Sequence, residues 1–241
     1  MKYFILILLT LALLTSSTQA QTKPSVNLIW SADTHSPPFY AGHSIATPQS
    51  KIKVLALVDS WAQAPSNLEY TWKRNGQLLL KSSGFGQNIL TFSAGKAGET
   101  ERINVAVSDP AQTTRQEQTI TIPVTNPSIS IYRNESLTGI NYAQAIDDNL
   151  ILGQPEINLF AEPYFFPKTD VTSGKIDYRW RLNDQRVVPD PLDSRLITFA
   201  APSGTTGQNT ITINAESLNT VFQSAKKQFQ ITFGGTQNFN F

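Results

Sequence analysis

The sequence predicts an all-β chain: two tandem β-sandwich domains of immunoglobulin-like size behind an export signal. Three observations predict it. One eight-residue phrase is written twice, as EYTWKRNG from Glu69 to Gly76 and as DYRWRLND from Asp177 to Asp184. Around each copy, short apolar runs alternate with polar residues in the two-residue period of half-buried strands. Long helical periodicity is absent, and the polar faces are supplied by Thr, Ser, Asn and Gln, because charged residues make up only 15% of the chain.

The first twenty residues read as an export signal. Lys2 is the positive start, Tyr3 to Leu14 is an apolar run, and Thr15 to Ala20 is a small, polar cleavage region. The apolar run is about a dozen residues, short of the roughly twenty that span a bilayer, so no membrane span is expected in the mature chain unless the signal segment is retained. The first domain is expected over 24–125. Val26 to Trp30 opens it, followed by IKVLALV (52–58), the Trp72 strand, NILTF (88–92), RINVAVS (102–108) and QTITIPV (118–124). In the Trp72 strand Leu68, Tyr70 and Trp72 face one way and Glu69, Thr71 and Lys73 the other. A proline-containing linker near Pro123 to Pro127 interrupts pairing by withholding backbone donors.

The second domain, 126–233, repeats the order. It opens with Ile129 to Arg133, then EINLFAE (156–162), the Trp180 strand, LITF (196–199), NTITINAES (209–217) and KQFQITF (227–233). Trp72 and Trp180 stand 108 positions apart, one sandwich domain. Asn75-Gly76 and Asn183-Asp184 end the two tryptophan strands with residues that tolerate left-handed backbone. Leu218 to Lys227 is expected as a short helix or turn before the last strand, and 234–241 as a C-terminal tail.

No Cys occurs, so the chain holds no disulfide and no thiol-based metal or redox site. The net charge of +1 includes Lys2, and a mature chain near neutrality sets up no field for polyanions, so nucleic acid is not an expected partner. No cofactor or metal is expected. His35 and His43 are the only imidazoles, with Asp33 the only nearby carboxylate, and neither lies in a hydrolase motif. Asp147, Asp148, Asp190 and Asp193 are acids that calcium favours, yet they lack the D-x-D-x-D-G pattern and read as turn residues.

The Tyr-x-Trp phrase resembles the corresponding strand of PKD-type domains. Six ordered phrases taken together are similar to an uncharacterised family of exported proteins of candidate-phylum bacteria (Patescibacteria, including the Parcubacteria). They are SADTHSPPFYAG (31–42), YTWKRNG, SGFGQNILTF (83–92), LTGINYAQAI (137–146), AEPYFFP (161–167) and YRWRLN. The resemblance implies an envelope or cell-surface protein with paired β-sandwiches, encoded near pilus or secretion machinery, and it carries no catalytic residues.

With no catalytic signature, the expected function is non-enzymatic: protein–protein interaction or adhesion at the cell surface or envelope, with an envelope or surface-appendage protein as partner. The alternative is a carbohydrate-binding module, which needs two of Trp30, Tyr40, Trp61 and Tyr164 coplanar and facing solvent. Candidate contact residues are Phe39, Tyr40, Tyr164 and Phe165 in the aromatic, proline-rich stretches, and Phe239 and Phe241 in the tail. Closing the ends of the sandwiches, or filling the joint between them, is the competing role for the first four rings.

Overall fold

The computed structural model describes residues 23–152, 155–201 and 206–233; the expected signal segment and the expected tail, with Phe239 and Phe241, lie outside the described residues. Eight strands make the first sandwich: β1 (Ser25–Ala32), β2 (Lys51–Asp59), β3 (Glu69–Arg74), β4 (Gln77–Leu78), β5 (Gly84–Phe85), β6 (Ile89–Ser93), β7 (Thr100–Ser108) and β8 (Arg115–Pro123). One sheet runs β1-β2-β6 and the other β4-β3-β7-β8, with β5 also on β3. Alternation explains the layers. Ile52, Val54 and Ala56 of β2 and Leu90 of β6 turn inward onto Tyr70, Trp72, Ile103, Val105 and Val107.

The second sandwich comprises β9 (Ser128–Glu135), β10 (Gly139–Ile146), β11 (Asn149–Leu152), β12 (Glu156–Tyr164), β13 (Ile176–Leu182), β14 (Gln185–Val187), β15 (Leu196–Ala200), β16 (Gly207–Ser217) and β17 (Ser224–Phe233). Its sheets run β10-β9-β12-β15 and β11-β17-β16-β13-β14. The chain is therefore all-β, two tandem immunoglobulin-like sandwiches. Strands β10 and β11 are additions to the plan of the first sandwich. Strand β11 pairs parallel with β17 over four residues, Asn149↔Gln230 to Leu152↔Phe233. In the first sandwich the corresponding parallel contact is the single bridge Ala46↔Val124.

The repeated phrase builds the same clip twice. Asn75 and Asn183 both take positive φ, at 49° and 46°, and turn their strands back at Gly76 and Asp184. Asn75 donates its N–H to the Arg102 carbonyl and accepts the Arg102 N–H on Oδ1, each at 2.8 Å. Asn183 does the same with Thr210, at 2.9 Å in both directions. The tryptophan Nε1 atoms donate to carbonyls on the opposite side, Trp72 to Gln87 at 2.7 Å and Trp180 to Ser194 at 3.0 Å. Asn183→Ala forfeits the side-chain half of the clip, the Oδ1 acceptor of the Thr210 N–H, and puts alanine in the left-handed region. A loss of roughly 1–2 kcal/mol is expected in urea unfolding of the second sandwich.

The segment 218–223 forms a turn, not a helix, and β17 begins three residues earlier than its apolar alternation suggested. The reason is Asp170, in the short helix α1 (Lys168–Thr172). Its buried carboxylate accepts from Ser217 Oγ at 2.6 Å, Thr220 Oγ1 at 2.7 Å and Asn219 Nδ2 at 3.3 Å, while Ser217 Oγ accepts the Thr220 N–H at 2.8 Å. Side-chain capping of this kind competes with helix formation.

Candidate functional site

The linker between the sheets of the two sandwiches is short, Val124 to Pro127, and the halves meet through a built joint. After β1 the chain crosses to the second sandwich and pairs with it. Thr34 bridges Pro167, His35 N–H donates to the Phe166 carbonyl, and Phe165 N–H donates to the His35 carbonyl, both at 2.7 Å. His35 Nε2 lies 2.7 Å from Glu162 Oε1. The other carboxylate oxygen accepts the Tyr142 hydroxyl at 2.8 Å. Tyr132 and Tyr164 share a hydroxyl hydrogen bond of 2.6 Å beside them. Burial, and then the Glu162 carboxylate it donates to, push the Tyr142 phenol well above its ordinary range. Burial and the bond to Tyr132 do the same to Tyr164.

Phe165 is held in the left-handed region at φ 63°, uncommon for a bulky residue. Its N–H is fixed by His35 and its carbonyl accepts Thr47 Oγ1 at 2.9 Å, so the joint sustains the conformation. Gln223 Nε2 donates to Thr47 Oγ1 at 2.9 Å and to the Pro48 carbonyl.

The candidate aromatic residues divide here. Phe165 is buried, and the half-buried Tyr164 packs beside it. Tyr40 stands edge-on to both, at 5.5 Å from Phe165 and 6.0 Å from Tyr164. Its ring folds back over Gly42, where a Cβ would lie 2.3 Å from Tyr40 Oη. Phe39, at the tip of the same loop, is 83% exposed. The structure thus brings four of the predicted rings together, three in the joint and one on its rim. The planes of Tyr40 and Tyr164 cross at 76°, so this pair makes no flat platform. Trp30 and Trp61 are half-buried, Trp30 against the His43 ring at 4.4 Å and Trp61 donating its indole N–H to Ser25 O at 3.0 Å.

His35 has a carboxylate partner that spacing did not reveal, because Glu162 lies 127 positions away. The neighbouring hydroxyls of Thr34 and Thr47 are engaged on the Ile45 and Phe165 carbonyls. Both nitrogens of His43 lie against carbonyl oxygens, Ser44 at 2.8 Å and Trp30 at 2.9 Å. Asp190 caps the turn at Leu192, and Asp193 is paired with Arg195 at 2.8 Å. Among the described residues no group of three His, Asp or Glu converges as a metal site, and no helix is long and apolar enough to cross a membrane. An open depression of about 380 Å³ lies on the outer face of β1-β2-β6, lined by Ser31, Ala32, Asp33, Lys51, Lys53 and Thr91.

Glu162→Ala tests the joint. It leaves the His35 imidazole and the Tyr142 hydroxyl without their buried acceptor, a cost of roughly 1–3 kcal/mol. Faster hydrogen exchange at the His35 and Phe165 amides is the expected signature, with the two sandwich cores unchanged.

No protein-family model matches the chain, and no curated protein sequence matches it. Solved structures resemble it remotely. The three N-terminal domains of the Highly Immunogenic Outer Capsid protein of bacteriophage RB49 align at 16% identity over 88% of this chain, with a TM-score of 0.46. This chain spans 59% of the length of that one. The fibronectin(III)-like modules of Clostridium thermocellum CbhA align at 13% identity over 85% of this chain and 94% of theirs, TM-score 0.28. The SGBP-B protein of a Bacteroides ovatus mixed-linkage glucan utilization locus, solved with a mixed-linkage heptasaccharide, aligns at 11% identity over 89% and 48%, TM-score 0.26.

Proposed function

We propose that this chain is a non-enzymatic, exported protein of the cell surface or envelope that works by protein–protein contact or adhesion, as an accessory of a pilus or secretion apparatus. The signal-like first twenty residues support export. The observation that carries contact is the loop from Ser36 to Gly42, which holds the exposed Phe39 ring on a base clamped at both ends. One end is paired to the second sandwich at His35, and Thr125 N–H donates to the Ala46 carbonyl at 2.9 Å near the other. A large apolar ring on such a fixed loop presents contact area with little ordering left to lose on binding.

Affinity capture from the native cell envelope with residues 21–241, beside the Phe39→Ser variant, tests this. Recovery of pilus, secretion or surface-layer components by the unaltered chain, and their loss with the variant, is the expected result. Recovery unaffected by Phe39→Ser would show that the loop is not the contact. A glycan partner is the alternative, resting on the exposed Phe39 ring alone, because Trp30, Trp61 and Tyr164 are half-buried and Tyr40 crosses Tyr164 at 76° instead of forming the two-ring platform. Survival of the captured material's binding after protease digestion, and its loss after glycosidase digestion, would move the assignment to glycan.

A further inference from the structure

Each sandwich carries an apolar row across the outer face of its first sheet. In the second it is Tyr132, Phe160 and Leu196, and in the first Ile29, Leu55 and Ile89, each set in cross-strand register. The rows occupy corresponding places, because the next bond along is the same in both: Ala161 N–H to the Arg195 carbonyl and Ala56 N–H to the Asn88 carbonyl, each 2.9 Å. In the second sandwich the row is covered. Strand β10 pairs beyond β9, and Tyr142, bulged out of its register, lies 5.0 Å from the Tyr132 ring. The Arg195 guanidinium sits 4.9 Å over Phe160, and Tyr132 and Phe160 are only 5% and 4% exposed.

The first sandwich lacks that cover. Among the described residues β1 has no strand beyond it, Ile29 and Ile89 are 52% and 42% exposed, and Leu57 beside them is 46% exposed. Asp33 N–H donates to Lys51 O, so the odd-numbered residues of β1 turn their backbone groups toward β2. The groups of Val26 and Leu28 therefore point away from the sheet, while the Trp30 carbonyl is taken by His43.

We propose that a strand adds to β1 at Val26 to Leu28 and lays an aromatic ring over Ile29, Leu55 and Ile89, and that this strand is the segment Gly234–Phe241 of a neighbouring copy. Its sequence alternates as an added strand requires, with Gln237, Phe239 and Phe241 at odd positions and Asn238 and Asn240 at even ones. The donor is another molecule because the chain cannot reach its own β1. Strand β17 starts beside the joint, where Gln223 touches Thr47 and Pro48, and its ten residues carry the chain about 33 Å away. Eight further residues reach at most roughly 28 Å, and Leu28 lies beyond the joint. The contact is heterologous, so repetition yields head-to-tail rings or open chains. It does not rest on the Phe39 loop, and either contact can fail without the other.

Sedimentation velocity of purified 21–241 over a concentration series tests it. The intact chain is expected to grow beyond a dimer with concentration. The Phe239→Ser/Phe241→Ser variant, which keeps the acceptor, and the Ile29→Lys variant, which keeps the donor, are each expected to stay monomeric. Mixed, these two form a 1:1 complex that grows no further, a result an isologous dimer does not give. Leu28→Pro, which removes an edge N–H while leaving the outer row intact, is a second acceptor variant should Ile29→Lys lower stability. A monomeric intact chain, association that survives the Phe239/Phe241 change, or a mixture without the 1:1 complex would each overturn the proposal.

Discussion

Trp180→Ala is expected to lower the unfolding free energy of the second sandwich by about 3–5 kcal/mol, the cost of truncating a fully buried large ring. The indole lies between the sheets among Ile131, Leu159, Ile211 and Ile213, so neighbours on both sides lose contacts and cannot close the gap without moving strands. The Ser194 carbonyl also loses its donor. Trp72→Ala has the same expected effect on the first sandwich, through a separate core and the Gln87 carbonyl. Because the cores do not share side chains, the effects should add in the double variant. Urea unfolding followed by tryptophan fluorescence and circular dichroism reads both, and wild-type midpoints in the single variants would mean that neither ring anchors a core.

Arg74→Ala is expected to cost roughly 3 kcal/mol, the lower end of the range for breaking a buried pair, because Arg74 itself is 28% exposed. Glu101 is only 2% exposed and accepts from Arg74 Nε at 2.8 Å, Arg74 Nη2 at 2.6 Å, Gly95 N at 2.8 Å and Asn75 Nδ2 at 3.0 Å. Burial alone would raise its pKa, but Arg74 and the Gly95 N–H outweigh it and hold Glu101 below the ordinary 4.5. Asp170 is likewise held low against burial by Ser217 and Thr220, and Asp193 by Arg195. With folded values depressed, the unfolded chain binds more protons. Stability from these groups is present above the unfolded pKa values and is lost as pH falls through the folded ones. The denaturation midpoint should therefore hold from neutrality to about pH 5 and then fall. In Arg74→Ala burial acts on Glu101 with less opposition, so the deficit against wild type should narrow in acid.

The repeated phrase made the sandwich plan legible. Tyr-x-Trp set the inward face, and Asn75 and Asn183 fixed the turn, because strand alternation and left-handed turn chemistry are local. The joint was legible only as a competing role for the aromatic stretches. His35 and Glu162 meet through the tertiary fold, and no spacing rule links residues so far apart. Strand β10 escaped because its pairing with β9 shifts between Ile140 and Ala145, which breaks the two-residue period where Tyr142 is displaced. Of the two forms expected near Leu218, a short helix or a turn, capping by Asp170, a residue in a different element, selects the turn.

The parallel contact that ties β11 to β17 has a mechanical consequence. When the chain is stretched from its two ends, strands that lie parallel and leave from opposite poles are loaded in shear, so all four residue pairs from Asn149↔Gln230 to Leu152↔Phe233 resist together. In the first sandwich only Ala46↔Val124 stands in that line. Under tension the first sandwich should rupture at the lower force and lengthen first, acting as an extensible element in series with a stiffer one.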